Sequence, residues 1–313
     1  MKLIDLHCDT VDKLMDYKDS NLYDNDFSVD IKKLKKANSL AQVFALYFDL
    51  NNHRNDPFGR FNNMADRFFK ELENNKEYIS LAKNYNDIIQ NEKNNKLSAI
   101  LSIEEGAAIN GKLENLHKVY DKGVRLITLT WNYENEIGYP HNKKEYKDFG
   151  LKPFGREVVQ KMNELGMIID VSHLNDGGFY DVAKISKKPF IASHSNSRSI
   201  TNHSRNLTDD MIKVISNSGG VIGMNFCNYF LGDSSIATID DIIKHIKHIA
   251  NIGGIDVVAM GTDFDGIPNK VEIEDISEMH KLQDRLLSSG FNEYEIEKMM
   301  YKNTLRVFKD VLK

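Results

Sequence analysis

The sequence predicts an α/β chain folded as a single (β/α)8 TIM-type barrel, with a polar helical insertion after the second strand. Three observations carry this. Eight short apolar runs recur along the 313 residues, at 3–6, 41–48, 99–103, 124–129, 167–171, 190–192, 221–224 and 257–260. Amphipathic stretches separate them. Polar residues of catalytic type stand directly after most of the runs. Strands buried on both faces read as near-continuous apolar runs rather than clean alternations, and these runs read that way. Runs alternating with helical stretches imply repeated βα units.

The connecting elements are justified in turn. Residues 51–96, between the second and third runs, are rich in Asn, Lys and Glu and predict a solvated helix pair that elaborates one connection. Pro153 near the start and Gly166 at the end bracket a helix over 154–165, since Pro suits the first turn and Gly the residue past the last. Thr208-Asp209-Asp210 opens a helix carrying Met211, Ile212, Val214 and Ile215, which Gly219-Gly220 ends. Thr238 with Asp241 resembles a capping box ahead of Ile242, Ile243, Ile246 and Ile249. No Pro/Ser-rich linker or internal repeat divides the chain, so residues 1–313 are expected to form one domain.

Composition excludes several classes. A 41% hydrophobic content can bury a large core and argues against global disorder. The net charge of -5, from 41 Lys+Arg against 46 Asp+Glu, gives no drive toward nucleic acid or an anionic membrane. Cys8 and Cys227 cannot make a disulfide framework, and no signal-peptide core or span-length apolar run is present, so a cytoplasmic setting is expected.

The chemistry-bearing residues cluster at the C-terminal ends of the runs. His7-Cys8-Asp9 ends the first, Glu104-Glu105-Gly106 the third, Trp131-Asn132 the fourth and Ser172-His173 the fifth. Ser193-His194-Ser195, Asn225 and Asp263-Phe264-Asp265-Gly266 end the last three. A barrel gathers its strand C-termini on one face, where active sites of the fold lie. His7 and Asp9, two apart, point to one side of a strand. His173 and His194 offer imidazole nitrogens, common zinc ligands, and a carboxylate such as Glu104 can bridge two cations. Each of these alone has an ordinary reading: a core histidine for His173, a turn for 193–195 or 263–266, one buried and one solvated acid at 104–105. Their joint order at strand ends favours a metal site. Other residues read as structural. His245 and His248, beside Lys244 and Lys247, belong on a solvated helix face, and His117 and His280 on the surface. Cys8 and Cys227 are small buried thiols, and Ser195 lacks the GxSxG elbow of a serine hydrolase.

The ordered motifs DLHCDT (5–10), SIEEGAAI (102–109), ITLTWN (127–132), IIDVSH (168–173), IASHS (191–195), HSRNLTDDMI (203–212), GVIGMNF (220–226), MGTDFDG (260–266) and NTLRVFKDVL (303–312) span essentially the whole chain. Together they resemble the membrane (renal) dipeptidase family of zinc peptidases, peptidase family M19, among the amidohydrolase-like barrels. The resemblance implies two Zn2+ ions, or other divalent metals. His7 and Asp9 would hold one, His173 and His194 the other, and Glu104 would bridge. Glu104 rather than Glu105 fits the family register, in which Gly is frequent at the second position. By the same resemblance Asp263 is the catalytic acid that carries a proton from the attacking water to the leaving amine. Arg205, which alone reads as a surface arginine, would clamp the substrate carboxylate. Where the mammalian members carry a His after the fourth strand this chain has Trp131, followed by Asn132. Either the metals do most of the polarising, or Asn132 or His141 stands in for the missing His. Where the family tends to carry an aromatic after the strand-7 Asn-Phe pair this chain has Cys227, with Tyr229 two residues on. Trp131, Asn132 and Tyr229 are the residues expected to contact substrate.

The expected function is hydrolysis of dipeptides by a metal-bridging hydroxide. An amidohydrolase acting on N-acyl amino acids or lactams is the alternative enzyme, and a catalytically silent ligand-binding homologue the alternative of another class. The expected partner is a dipeptide, with no nucleic acid and no membrane, and a homodimer as a family-level expectation.

Overall fold

A computed structural model describes all residues from Met1 to Lys313. The strands are β1 (Leu3–Cys8), β2 (Ser39–Tyr47), β3 (Ile79–Leu81), β4 (Leu97–Glu104), β5 (Val124–Thr128), β6 (Ile168–Asp170), β7 (Ile222–Met224), β8 (Ile236–Ala237), β9 (Val258–Met260) and β10 (Lys270–Val271). The main sheet is parallel, in the order β6-β5-β4-β2-β1-β9-β7. All residues of β1, β4 and β5 are buried, which explains their unbroken apolar character.

The run at 190–192 forms no extended strand, but it supplies the missing stave. Parallel bridges pair Ile191 with Asp170 and Ala192 with Ile222, and hydrogen bonds run from Ile191 N to Ile169 O and from Gly223 N to Ala192 O. The sheet thereby curls back on itself as a TIM-like barrel. The approach is close here: a Cβ at Gly223 or Gly261 would lie 1.9 or 1.8 Å from Ser193 O, so only glycine fits at either position.

One apolar cluster takes Val43, Ile100, Leu126, Ile168, Ile191, Val221 and Ala259 from successive staves, together with Val307, Phe308 and Val311 of the C-terminal helix. A larger cluster of 70 residues joins the sheet to the surrounding helices. Strand periodicity turns the first cluster into a placement rule. Two residues beyond Leu126, Ile168 and Ile191 stand Thr128, Asp170 and Ser193, and four beyond Ile100 stands Glu104. The face that is greasy in mid-barrel therefore becomes polar at the strand C-termini.

The expected helices form where their caps place them. The Thr208 side chain accepts from Met211 N ahead of Asp209–Asn217, and Thr238 from Asp241 N ahead of Ile239–Gly253. Helix Pro153–Leu165 ends at Gly166 in the left-handed region. The 51–96 insertion is less solvated than its composition suggests. Its long helix, Pro57–Asn74, buries Phe61, Met64, Ala65, Phe68 and Leu72 along one face, and the insertion adds β3, which pairs with β4. His245 also departs from expectation. It is fully buried, accepting from Ser197 N at 3.0 Å through Nδ1 and facing Leu231 O at 2.9 Å through Nε2. His248 does sit near the surface, 2.7 Å from Asp209. No helix is long and apolar enough to cross a membrane.

Candidate metal centre

Six of the expected site residues converge at the strand C-termini. His7 Nε2 lies 3.4 Å from Asp9 Oδ2, 3.3 Å from Glu104 Oε2 and 3.9 Å from Asp263 Oδ1. On the other side of the same carboxylate, Glu104 Oε1 lies 3.1 Å from His173 Nε2 and 3.3 Å from His194 Nε2. Glu104 thus turns one oxygen to each of two donor groups. Glu105 bonds elsewhere, to Asn135 and to the amides of Ala107 and Trp131.

The donors fit a pair of divalent cations. His173 Nε2 and His194 Nε2 lie 3.0 Å apart, and burial holds both rings well below the ordinary histidine range, so both are neutral. Two uncharged imidazoles facing each other across a carboxylate oxygen leave a lone pair without a proton donor. Both ring nitrogens of His7 and Oδ1 of Asp9 are buried without partners. Burial also raises Asp9 to about 6 and Glu104 above the usual carboxylate range. Burial alone would depress His7, but the Glu104 and Asp9 carboxylates override it and raise it. A cation at this place would satisfy His7 Nε2 and Asp9 Oδ1 and neutralise the buried acids together; it leaves His7 Nδ1 unpartnered. Nitrogen and carboxylate donors without a thiolate suit zinc and its neighbours.

Asp170 and Thr128, which the sequence did not single out, and Ser193, Asn132 and Asn225, which it placed at strand ends without this role, hold these donors in place. His194 Nδ1 lies 2.7 Å from Ser193 Oγ, which donates to Asp170 Oδ2 at 2.5 Å. The same carboxylate accepts from the Thr128 hydroxyl and from the amides of Ser172 and Ser193. Asp170 stands inside the IIDVSH motif, and its even spacing from the interior residue Ile168 is the signal that could have found it. On His173, Nδ1 lies 3.1 Å from Asn132 Oδ1, so Asn132 meets the centre through the histidine rather than through a free amide. Asp263 accepts from Asn225 Nδ2 at 2.8 Å, and burial pushes its carboxyl up to about 7.

The remaining residues divide. Arg205 is buried (3% exposed), donating to Ser195 Oγ at 2.6 Å and His194 O at 2.7 Å, with Nε left unpartnered. Its guanidinium also lies 5.8 Å from the ring of Phe230. Trp131 packs its indole 4.9 Å from the Tyr47 ring and 6.2 Å from the His173 ring. His141 stands 5.9 Å from His173, and burial together with Arg205 holds it down to about 2, so it is neutral. Tyr229 stays apart, 64% exposed and lining a surface cavity with Pro268 and Asn269; its neighbour Phe230 turns inward instead. Cys8 and Cys227 are buried, and burial raises both thiols, Cys227 to about 11, so neither is a thiolate near neutral pH.

Glu105 occupies an unusual position. It is fully buried at φ +95°, a region that costs a non-glycine residue on the order of 1–3 kcal/mol. Burial pushes its carboxyl up to about 7 even though three N–H groups donate to it.

The fold is shared with solved metallopeptidase structures. A dipeptidase AC, a metallopeptidase of family M19, superposes with a TM-score of 0.93 at 24% identity, covering 100% of this chain and 99% of its own. A Rhodobacter sphaeroides metallopeptidase bound to a phosphinate mimic of the dipeptide L-Ala-D-Ala superposes with a TM-score of 0.90 at 23% identity, covering 99% of each chain. In sequence, an uncharacterized Klebsiella pneumoniae protein from the pqqA 5′ region is 35% identical over 238 residues, 72% of this chain and 86% of that protein. An uncharacterized dipeptidase of Schizosaccharomyces pombe is 36% identical over 223 residues, 69% of this chain and 53% of the yeast protein. The family model for membrane dipeptidase (peptidase family M19) matches residues 1–313, and the chain belongs to that family.

Proposed function

We propose that this protein is a binuclear zinc dipeptidase. The observation that carries the reading is Glu104, whose two oxygens face two separate donor groups, His7 with Asp9 and His173 with His194. His7, Asp9, Glu104, His173 and His194 would hold two divalent ions, which would supply a hydroxide nucleophile near neutral pH and polarise the scissile carbonyl.

The chain's own residues do the rest. Asp263 faces the ligand cluster through Oδ1 while Asn225 holds Oδ2, so one oxygen is free to take a proton and return it to the leaving amine. Arg205 is anchored at both terminal nitrogens with its Nε free, so a fixed positive charge stands beside the cluster to receive the substrate carboxylate. Ser193 and Asn132 keep the Nδ1 protons of His194 and His173 turned away from the cluster, leaving each Nε2 lone pair available. The Trp131 and Tyr47 rings pack edge-to-face 4.9 Å apart, with Trp131 6.2 Å from the His173 ring.

Metal analysis of the purified protein, followed by a metal-replete screen against L,L- and L,D-dipeptides and N-acyl amino acids, tests this. Two zinc per chain with dipeptide turnover is the expected result. Turnover of N-acyl amino acids alone would replace the function with another amide hydrolysis, and absence of both metal and turnover would refute it.

A further inference from the structure

Glu105 takes no part in the ligand set, yet its carboxyl is tied to the loop that reaches that set. Oε1 accepts from the Ala107 amide at 2.9 Å and from Asn135 Nδ2 at 2.5 Å, and Oε2 accepts from the Trp131 amide at 3.2 Å. The carboxyl therefore spans from the end of β4 to the loop after β5. Asn135 organises that loop. Its Nδ2 also donates to Leu129 O at 2.9 Å, and its Oδ1 accepts from the amides of Ile137 at 2.8 Å and Gly138 at 3.1 Å.

The loop presents two side chains to the candidate metal centre. Asn132 Oδ1 accepts from His173 Nδ1 at 3.1 Å, and the Trp131 indole lies between the Tyr47 and His173 rings, 4.9 and 6.2 Å from them. If position 105 served the backbone alone, glycine would suit it better, because glycine adopts φ +95° without strain. A glutamate is held there against that preference, with both carboxylate oxygens engaged.

The geometry points to Glu105 as a positioning residue of the metal centre. Its carboxyl fixes the 129–138 loop so that Asn132 holds His173 with Nε2 toward Glu104 and Trp131 packs beside the His173 ring. The inference rests on the metal-centre reading given above, but its primary readout does not need a substrate.

Trp131 is the only tryptophan in the chain, so intrinsic fluorescence reports this loop directly. Glu105→Gly removes the carboxyl and leaves a backbone content with positive φ. The variant is expected to fold, with Trp131 emission shifted to the red and acrylamide quenching at least doubled. Zinc affinity of the metal-depleted protein, measured by chelator competition, should fall roughly tenfold, the scale of losing an outer-shell partner. With dipeptide, kcat should fall more than KM rises.

Glu105→Gln keeps one oxygen for Ala107 and Asn135 but turns an NH2 toward the Trp131 amide, so it should lie between native and Glu105→Gly. Native Trp131 quenching together with native zinc affinity in Glu105→Gly overturns the proposal. Should that variant not fold, the same native behaviour in Glu105→Gln overturns it. A native protein that binds zinc but leaves dipeptides intact would refute the proposed substrate and leave this test standing.

Discussion

Replacing Ser193 with alanine isolates the support of one proposed ligand. In the native chain His194 Nδ1 stands 2.7 Å from Ser193 Oγ, and that hydroxyl donates onward to Asp170 at 2.5 Å. The arrangement fixes the proton on Nδ1 and the lone pair on Nε2, which lies 3.3 Å from Glu104. Ser193→Ala removes one oxygen. Asp170 keeps the Thr128 hydroxyl at 2.6 Å and the amides of Ser172 and Ser193 at 2.9 and 2.8 Å, so the strand ends stay in place. What is lost is the acceptor for His194 Nδ1–H and with it the preference for the ligating tautomer. Deleting an outer-shell partner typically weakens metal affinity 10- to 100-fold, about 1.4 to 2.8 kcal/mol. Competitive titration of the metal-depleted protein with zinc against a chelating dye measures this, and far-UV circular dichroism checks that the fold survives. A folded Ser193→Ala protein binding zinc within twofold of native would refute the claim that this hydroxyl prepares His194.

Three further outcomes are expected. Asp263→Asn should retain its metal yet lose about 10²- to 10⁴-fold in kcat, the range for a positioned acid–base group; turnover near native would remove Asp263 from the proton path. Amidating the C-terminus of a good dipeptide should cost the native enzyme far more in kcat/KM than it costs Arg205→Ala, and equal losses would rule out the carboxylate clamp. In the metal-depleted protein, Glu105 has a folded pKa raised by burial to about 7 from 4.5, so its contribution is full below pH 4 and is lost as pH rises through 7. The loss is roughly 3 kcal/mol, so Tm should fall between pH 5 and pH 8 and fall less in Glu105→Gln; equal slopes would contradict the buried-acid account.

The barrel was legible because its strands are buried on both faces, which writes them as apolar runs in any context. The run at 190–192 was legible for the same reason, although in the fold it pairs through only a few hydrogen bonds on each side. The burial of the 51–96 insertion was not legible in composition, because composition averages over a helix. Pro57–Asn74 is polar in total, yet its apolar residues fall at one helical spacing and are buried. His245 is hidden in a similar way: flanking lysines point outward while the ring between them turns inward to bind Ser197 and Leu231.

At the site, the metal-type residues were legible and the residues that aim them were not. Part of the reason is backbone geometry. Glu105, His173, Asp263 and Asp265 all have positive φ, at 95°, 66°, 64° and 70°. Glycine is the default at such positions and Asp or His only the occasional occupant, so residue type alone shows neither the turn at 105 and 173 nor where the side chains at 263 and 265 point. Each is held by a partner distant in sequence: Glu105 by Trp131 and Asn135, His173 by Asn132, Asp263 by Asn225, and Asp265 by Thr10 and Ser28. Strain of this kind persists only where surrounding contacts over-determine it. The contacts that sustain the strained turns at His173 and Asp263 are the same ones that point these side chains at Glu104 and His7. Finding the candidate ligands therefore requires only residue type and strand ends, whereas reading their aim requires the tertiary partners that make an unfavourable backbone tolerable.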